Sequence, residues 1–129
     1  MRYVFPGVFE PSEEGGYVVS IPDIEGCFTE GNTLAEALYM AQDALAMMLV
    51  YYEDHGMNVP EPSDLDKIDV SEGSIVTLVL ADTDQWRKVF DNKAVKKTLS
   101  IPSWLNTKAT NAGFNFSQVL QEALIAKLS

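Results

Sequence analysis

A chain of 129 residues, 47% apolar and 22% charged, has the make-up of one folded domain or two small ones rather than of a disordered segment. No apolar run reaches the roughly 18–20 residues that a membrane span requires. The single cysteine, Cys27, excludes an internal disulfide framework and a cysteine-based zinc cluster. The chain begins directly with a strand-like pattern and shows no signal-peptide core, so a cytoplasmic protein is expected.

Residues 2–10 (RYVFPGVFE) are aromatic and β-branched, and Pro6-Gly7 interrupts them, which predicts a strand with a bulge or an edge position. A turn at Glu13–Gly16 leads into a second strand, GYVVSI, and the two form a hairpin. A short third run, Cys27-Phe28-Thr29, follows the turn at Gly26. Thr33 and Glu36 then have the spacing of a capping box. Beyond them Leu34, Leu38, Ala41, Leu45, Met48 and Tyr52 recur at steps of four and three, one face of a long amphipathic helix that Gly56 can end in the left-handed conformation. An acidic loop covers 57–73. Ser74–Ala81 (SIVTLVLA) is nearly continuous in apolar residues and predicts a strand at the centre of a sheet. One helix covers one side of such a sheet, leaving the other side to solvent or to a partner.

Residues 82–94 predict a short linker helix capped by Asp82 or Thr83, with Trp86, Val89 and Phe90 on one face. In the run Val95–Ile101, period-two alternation puts Val95, Leu99 and Ile101 on one side, with Lys97 breaking the apolar set, and Lys96, Thr98 and Ser100 on the other. Pro102 opens a helix carrying Trp104, Leu105, Ala109 and Ala112, and Gly113 closes it. A second helix starts at Asn115, with Gln118 as the other half of a capping box and Phe114 placed to staple against Val119. The strand has no hairpin partner nearby. It either docks on the first sheet through a βαβ crossover or pairs with the same strand of a second chain.

Charge divides along the same line. Residues 1–84 hold 17 acids and two bases, −15, whereas residues 85–129 hold seven bases and two acids, +5. Two modules facing different partners account for this asymmetry, the basic one facing an anion and the acidic one a cationic surface. A ribbon made of two copies of the strand would present Lys96, Thr98 and Ser100 from each chain on one face, as donors to phosphates and base edges on an element that fits a major groove.

The C-terminal pattern, KKTLSIPSWL, then NAG, then NFSQVLQEAL, resembles the ribbon-helix-helix DNA-binding module. The stretch GGYVVSIPDIEGCFTEGNTLAEAL resembles the signature of the HicB antitoxins. That resemblance implies an α+β chain. Its N-terminal β-β-β-α-β part would be a partial ribonuclease-H-like domain, and its C-terminal β-α-α part a ribbon-helix-helix with an intermolecular two-stranded ribbon. It implies an acidic toxin-binding domain over 1–82, a linker helix over 83–92 and a DNA-binding, dimerising domain over 93–129. The partners it implies are a HicA-type mRNA-cleaving toxin, operator double-stranded DNA, and a second copy in a homodimer or a tetramer, with no cofactor and no membrane. Lys96, Lys97, Thr98 and Ser100 fall on the ribbon, with Lys97 at a position such ribbons usually keep apolar. Asn115 and Ser117 fall at the start of the second helix, a physically sound site for a backbone phosphate.

Asp23, Glu25 and Glu30, around the short third strand, are the candidate toxin contacts, since acids there complement a basic RNA-binding partner. A ribonuclease-H-like fold also raises the alternative of a metal-dependent ribonuclease. Glu10, Asp23, Glu25, Glu30, Asp82 and Asp84 are available to it, yet no spacing singles out a metal cluster. His55 fits the C-terminal end of the long helix as a favourable partner of its dipole, and Cys27 fits a small buried hydrophobe. The expected protein is therefore not an enzyme.

Overall fold

The computed structural model describes all 129 residues, which fall into two compact units, Met1–Lys93 and Ala94–Ser129. The first unit holds four strands, β1 (Arg2–Pro11), β2 (Tyr17–Ser20), β3 (Phe28–Gly31) and β4 (Ile75–Asp82). They form one antiparallel sheet in the order β3-β2-β1-β4. Its helices are α1 (Leu34–Asp54) and α2 (Thr83–Phe90), and a single 3-10 turn at Leu65–Lys67 lies in the acidic loop. No helix is long and apolar enough to cross a membrane.

β1 runs through Pro6-Gly7 without a bulge, and Pro6 takes the edge position that is the other expectation. The ladder explains why. Thr83 N–H donates to Met1 C=O at 2.9 Å, and partners along β1 and β4 run from Arg2↔Asp82 to Phe9↔Ile75. Antiparallel strands bond at every second pair, so Tyr3, Phe5, Gly7 and Phe9 bond to β4 while Pro6 turns its nitrogen away. On that side β2 pairs only from Val8 onward, so no ladder bond is missing.

The same register places β4 at an edge, which corrects its expected central position. It alternates: Val79 and Ala81 are buried against α1, whereas Leu78 and Leu80 are 51% and 59% exposed. The face away from α1 is not uniformly bare either. Pro6 and Val8 in its middle are buried, and Val18 and Phe28 toward β3 are exposed. Asp23 accepts hydrogen bonds from the Ser63 N–H (2.9 Å) and hydroxyl. Residues 64–74 thus carry the chain from the β2 side to the β4 edge.

α1 starts where expected: Thr33 Oγ1 accepts from Glu36 N–H at 3.1 Å. Gly56, at φ +62°, follows its end, and His55 caps it, with Nδ1 2.8 Å from Tyr51 C=O and its ring stacked on Tyr51. The buried stripe is rotated from the expected face. Ala37, Ala41, Leu45 and Leu49 lie at its centre, Leu38, Met48 and Tyr52 flank it, and Leu34 is exposed. Small residues sit at the centre because the helix rides close over β3. A Cβ on Gly31 would stand 2.3 Å from Ala37 N, and one on Gly16 2.4 Å from Gly31 O. Cys27 lies in the same core, where burial pushes its thiol up to about 11.

α2, the expected linker helix, packs on α1. Asp82 Oδ1 caps it through Gln85 N–H (3.1 Å), and Trp86 lies against the core. Glu53, in the last turn of α1, is the polar fastening. Its carboxylate accepts from Tyr3 OH (2.8 Å), Thr83 Oγ1 (2.9 Å) and Arg87 (3.2 Å), and Arg87 also reaches Asp54 at 2.9 Å. Burial opposes the ionisation of Glu53, and these hydrogen bonds outweigh it, so the carboxyl titrates below its ordinary range. Burial and the bond to Glu53 push the Tyr3 hydroxyl up to about 12.

Two outcomes follow from this packing. Gly31→Ala sets a methyl against backbone rather than a movable side chain, and is expected to cost about 1–3 kcal/mol or more of stability in urea denaturation. Glu53→Gln is expected to lose about 1–3 kcal/mol at pH 7. A carboxyl lowered in the folded state stabilises above its ordinary pKa, and that contribution is lost as pH falls through the folded one. The gap between Glu53→Gln and the parent therefore narrows in urea titrations as pH falls from 7 below the ordinary carboxyl range. An equal gap at both ends of that span rules the charge out as its source.

Candidate functional site

The second unit contains α3 (Ser103–Asn111) and α4 (Phe116–Leu128). Pro102 begins α3. Its end is a Schellman arrangement, with Gly113 at φ +77° and Phe114 N–H bonded to Ala109 C=O at 3.2 Å. Asn115 Oδ1 caps α4 through Gln118 N–H at 3.1 Å. The reciprocal half of the expected capping box is absent, because the Gln118 amide turns forward to Glu122 Oε1 at 3.1 Å. With Gln118 capped and Val119 bonded to Asn115 C=O, the N–H groups of Phe116 and Ser117 are left at the helix start. The Ser117 hydroxyl accepts from the Gln121 amide at 3.3 Å.

Lys96, Lys97, Thr98 and Ser100 lie between Asp91 and Pro102, a stretch with neither helix nor strand within the single chain, and all four are exposed. The ribbon expected at Val95–Ile101 thus has no ladder partner in its own chain. What surrounds it is more telling. No residue of Ala94–Ser129 is buried, although the unit carries Val95, Leu99, Ile101, Trp104, Phe114, Phe116, Val119, Leu124, Ile125 and Leu128, all exposed, Val95 and Leu128 at 85% and 86%. A folded unit this rich in apolar side chains and without an interior lacks its packing partner. The basic side chains here outnumber the acids, Lys96, Lys97, Lys108 and Lys127 against Glu122.

In the first unit the candidate acids separate. Asp23 is engaged by Ser63 and anchors a loop. Glu25 is exposed in the turn before β3. Glu30 stands opposite Val18, which on its other side stands opposite Glu10, so the two carboxylates flank one exposed valine on the face away from α1. Phe28, 69% exposed, lies on that face beside Ser20. Sequence reading selected Glu30 but missed its apolar neighbours Val18 and Phe28, which only the strand register brings beside it. No three His, Cys, Asp or Glu side chains converge as metal ligands.

Residues 5–124 match the family model described as the HicB_like antitoxin of bacterial toxin-antitoxin systems. The chain is 46% identical over 72 residues to Antitoxin HicB 1 of Photorhabdus laumondii subsp. laumondii, covering 54% of this chain and 45% of that protein. It spans about half the length of the curated relatives it matches. Among solved structures, a toxin-antitoxin complex from Streptococcus pneumoniae contains a chain 26% identical at TM-score 0.64, covering 98% of this chain and 99% of that one. The HicA3 and HicB3 toxin-antitoxin complex contains another, 31% identical at TM-score 0.51, covering 62% and 99%. With the family model matched along nearly its whole length, this chain belongs to the HicB-like antitoxins of bacterial toxin-antitoxin systems.

Proposed function

We propose that the chain is an antitoxin that binds and inhibits a HicA-type mRNA-cleaving toxin and represses its own operon by binding operator DNA. In this reading the first unit, a partial ribonuclease-H-like domain, meets the toxin. The second is a ribbon-helix-helix that dimerises, and the protein is a regulator without catalysis.

The observation that carries the DNA-binding half is the second unit without an interior. Pairing Val95–Ile101 with the same segment of a second chain satisfies its backbone. It also lets the apolar sides of α3 and α4 from two chains share a core, with Val95, Leu99 and Ile101 turned into it. Lys96, Thr98 and Ser100 then face outward from both chains toward base edges, and the N–H groups at the start of α4 point at phosphate. Lys97, on the inward-facing set, extends from the ribbon's margin. The acidic first unit supplies the complementary surface for a basic toxin, with Glu25 and Glu30 accessible to it. The nuclease alternative gains no support, since no carboxylates gather as Mg²⁺ ligands.

Affinities for operator and random duplexes across a salt series test the DNA half. Lys96→Ala, Thr98→Ala and Ser100→Ala are each expected to reduce discrimination by about 1–3 kcal/mol where a base contact is lost. Ser117→Ala weakens both duplexes alike, because a phosphate contact carries no sequence information. Binding falls steeply with salt despite the −10 of the chain. Unchanged discrimination in all three strand variants removes the ribbon from the groove.

For the toxin half, stopped-flow association is the check. Glu30→Lys and Glu25→Lys are expected to slow association and flatten its salt dependence, with dissociation changing less. If both variants associate at the parental rate, the toxin meets another surface.

A further inference from the structure

The last two turns of α1 and the C-terminal half of α2 border a cleft of about 380 Å³ in the first unit. Met47, Tyr51 and Asp54 line it from α1, where steps of four and three put them on one stripe. Trp86, Phe90 and Asp91 line it from α2 and its C-cap. The Trp86 and Phe90 rings stand 5.0 Å apart between centroids, tilted by 37°, and make one continuous aromatic wall. Tyr51 is steadied by His55, on which its ring stacks at 4.0 Å.

The charge at this cleft has one sign. Both helices end there, and a helix C-terminus carries partial negative charge. α1 has no base in its last turn, and its final residue is Asp54; α2 is capped by Asp91. Carboxylates in those positions are unfavourable until a cation joins them. Of the two bases in the last turn of α2, Arg87 is spent on Glu53 (3.2 Å) and Asp54 (2.9 Å). Lys88 lies two positions from both Trp86 and Phe90, about 200° around the helix from each. Asp91 enters no ion pair. A bare metal ion does not suit the site, since no three His, Cys, Asp or Glu side chains converge and aromatic faces supply no ligand oxygens. Aromatic walls with a carboxylate beside them suit a cation borne on an apolar stem.

We propose that the cleft binds an alkylammonium group, its nitrogen against the Trp86 and Phe90 rings near Asp91 and its carbon stem along Met47 and Tyr51. A free polyamine and a lysine side chain share this chemistry. The cleft lies on the helical side of the first unit, away from the Glu10–Glu30 face, and the proposal does not rest on the antitoxin reading.

Emission from Trp86 in a full-length Trp104→Phe chain, where it is the sole tryptophan, reports occupancy. Spermidine and Nα-acetyl-lysine amide, titrated at constant ionic strength, are each expected to change that emission saturably. The tighter of the two tells whether a free polyamine or a side chain is the better fit. Phe90→Ala is expected to weaken binding by about 2- to 30-fold, the loss of one cation–π contact. Asp91→Asn is expected to weaken it as well, whereas Glu72→Gln, which removes the same charge from the acidic loop, leaves it unchanged. Circular dichroism verifies that each variant is folded. An emission change that does not saturate, a folded Phe90→Ala or Asp91→Asn chain that binds like the parent, or an equal loss in Glu72→Gln overturns the proposal.

Discussion

The stripe Ala37–Ala41–Leu45–Leu49 sits on the sheet at a distance that Gly31 and two alanines make possible, and the first unit is organised by that approach. Gly31 admits the start of α1, Gly16 admits the turn beside β3, and a Cβ on Gly7 would stand 2.8 Å from the Val79 side chain. With the helix this low, Phe5, Phe9, Val19 and Val79 close under it into one apolar core. The end of α1 then reaches the start of α2, where Glu53 gathers Tyr3, Thr83 and Arg87. The fastening is polar and costs little because each buried hydrogen-bonding atom is satisfied; no buried side-chain nitrogen or oxygen in the chain lacks a partner.

Because one core serves the first unit, apolar residues beyond its reach are left facing outward. Beside those on the outer side of α1, in the loop after it and on α2, they include Leu78 and Leu80 on β4, Val18 and Phe28 on the face that Glu10 and Glu30 border, and many in the second unit. The second unit has well-formed helices, with a capped start and a glycine stop, yet nothing inside. Local helix signals are sufficient for its secondary structure.

Electrostatics follows the same division. The acids crowd into the first unit, so the surface bordered by Glu10 and Glu30 repels polyanions and attracts bases. Lys96 and Lys97 stand in a stretch that carries no acid from Asn92 to Phe116. A chain of net charge −10 therefore keeps a basic stretch because most of its acids lie in the other unit.

The sequence alone determined what is local. Thr33, Asp82 and Asn115 announce their helices because a side-chain oxygen caps backbone groups three residues away, and Gly56 and Gly113 announce the ends because the left-handed turn there favours glycine. The division of charge between an acidic and a basic segment is likewise legible. The tertiary structure decided what depends on neighbours. SIVTLVLA reads as a central strand because its composition is apolar throughout, but strand order put it at an edge, and composition carries no record of order. The stripe of α1 was misjudged by a fraction of a turn, since alanines score weakly as apolar residues and are chosen for closeness of approach. Asp23 looked like a free acid until the fold brought Ser63 to it across 40 positions, and Val18 and Phe28 joined Glu30 only through strand register. Periodicity is written within one element, whereas order, register and approach arise between elements that the chain keeps far apart.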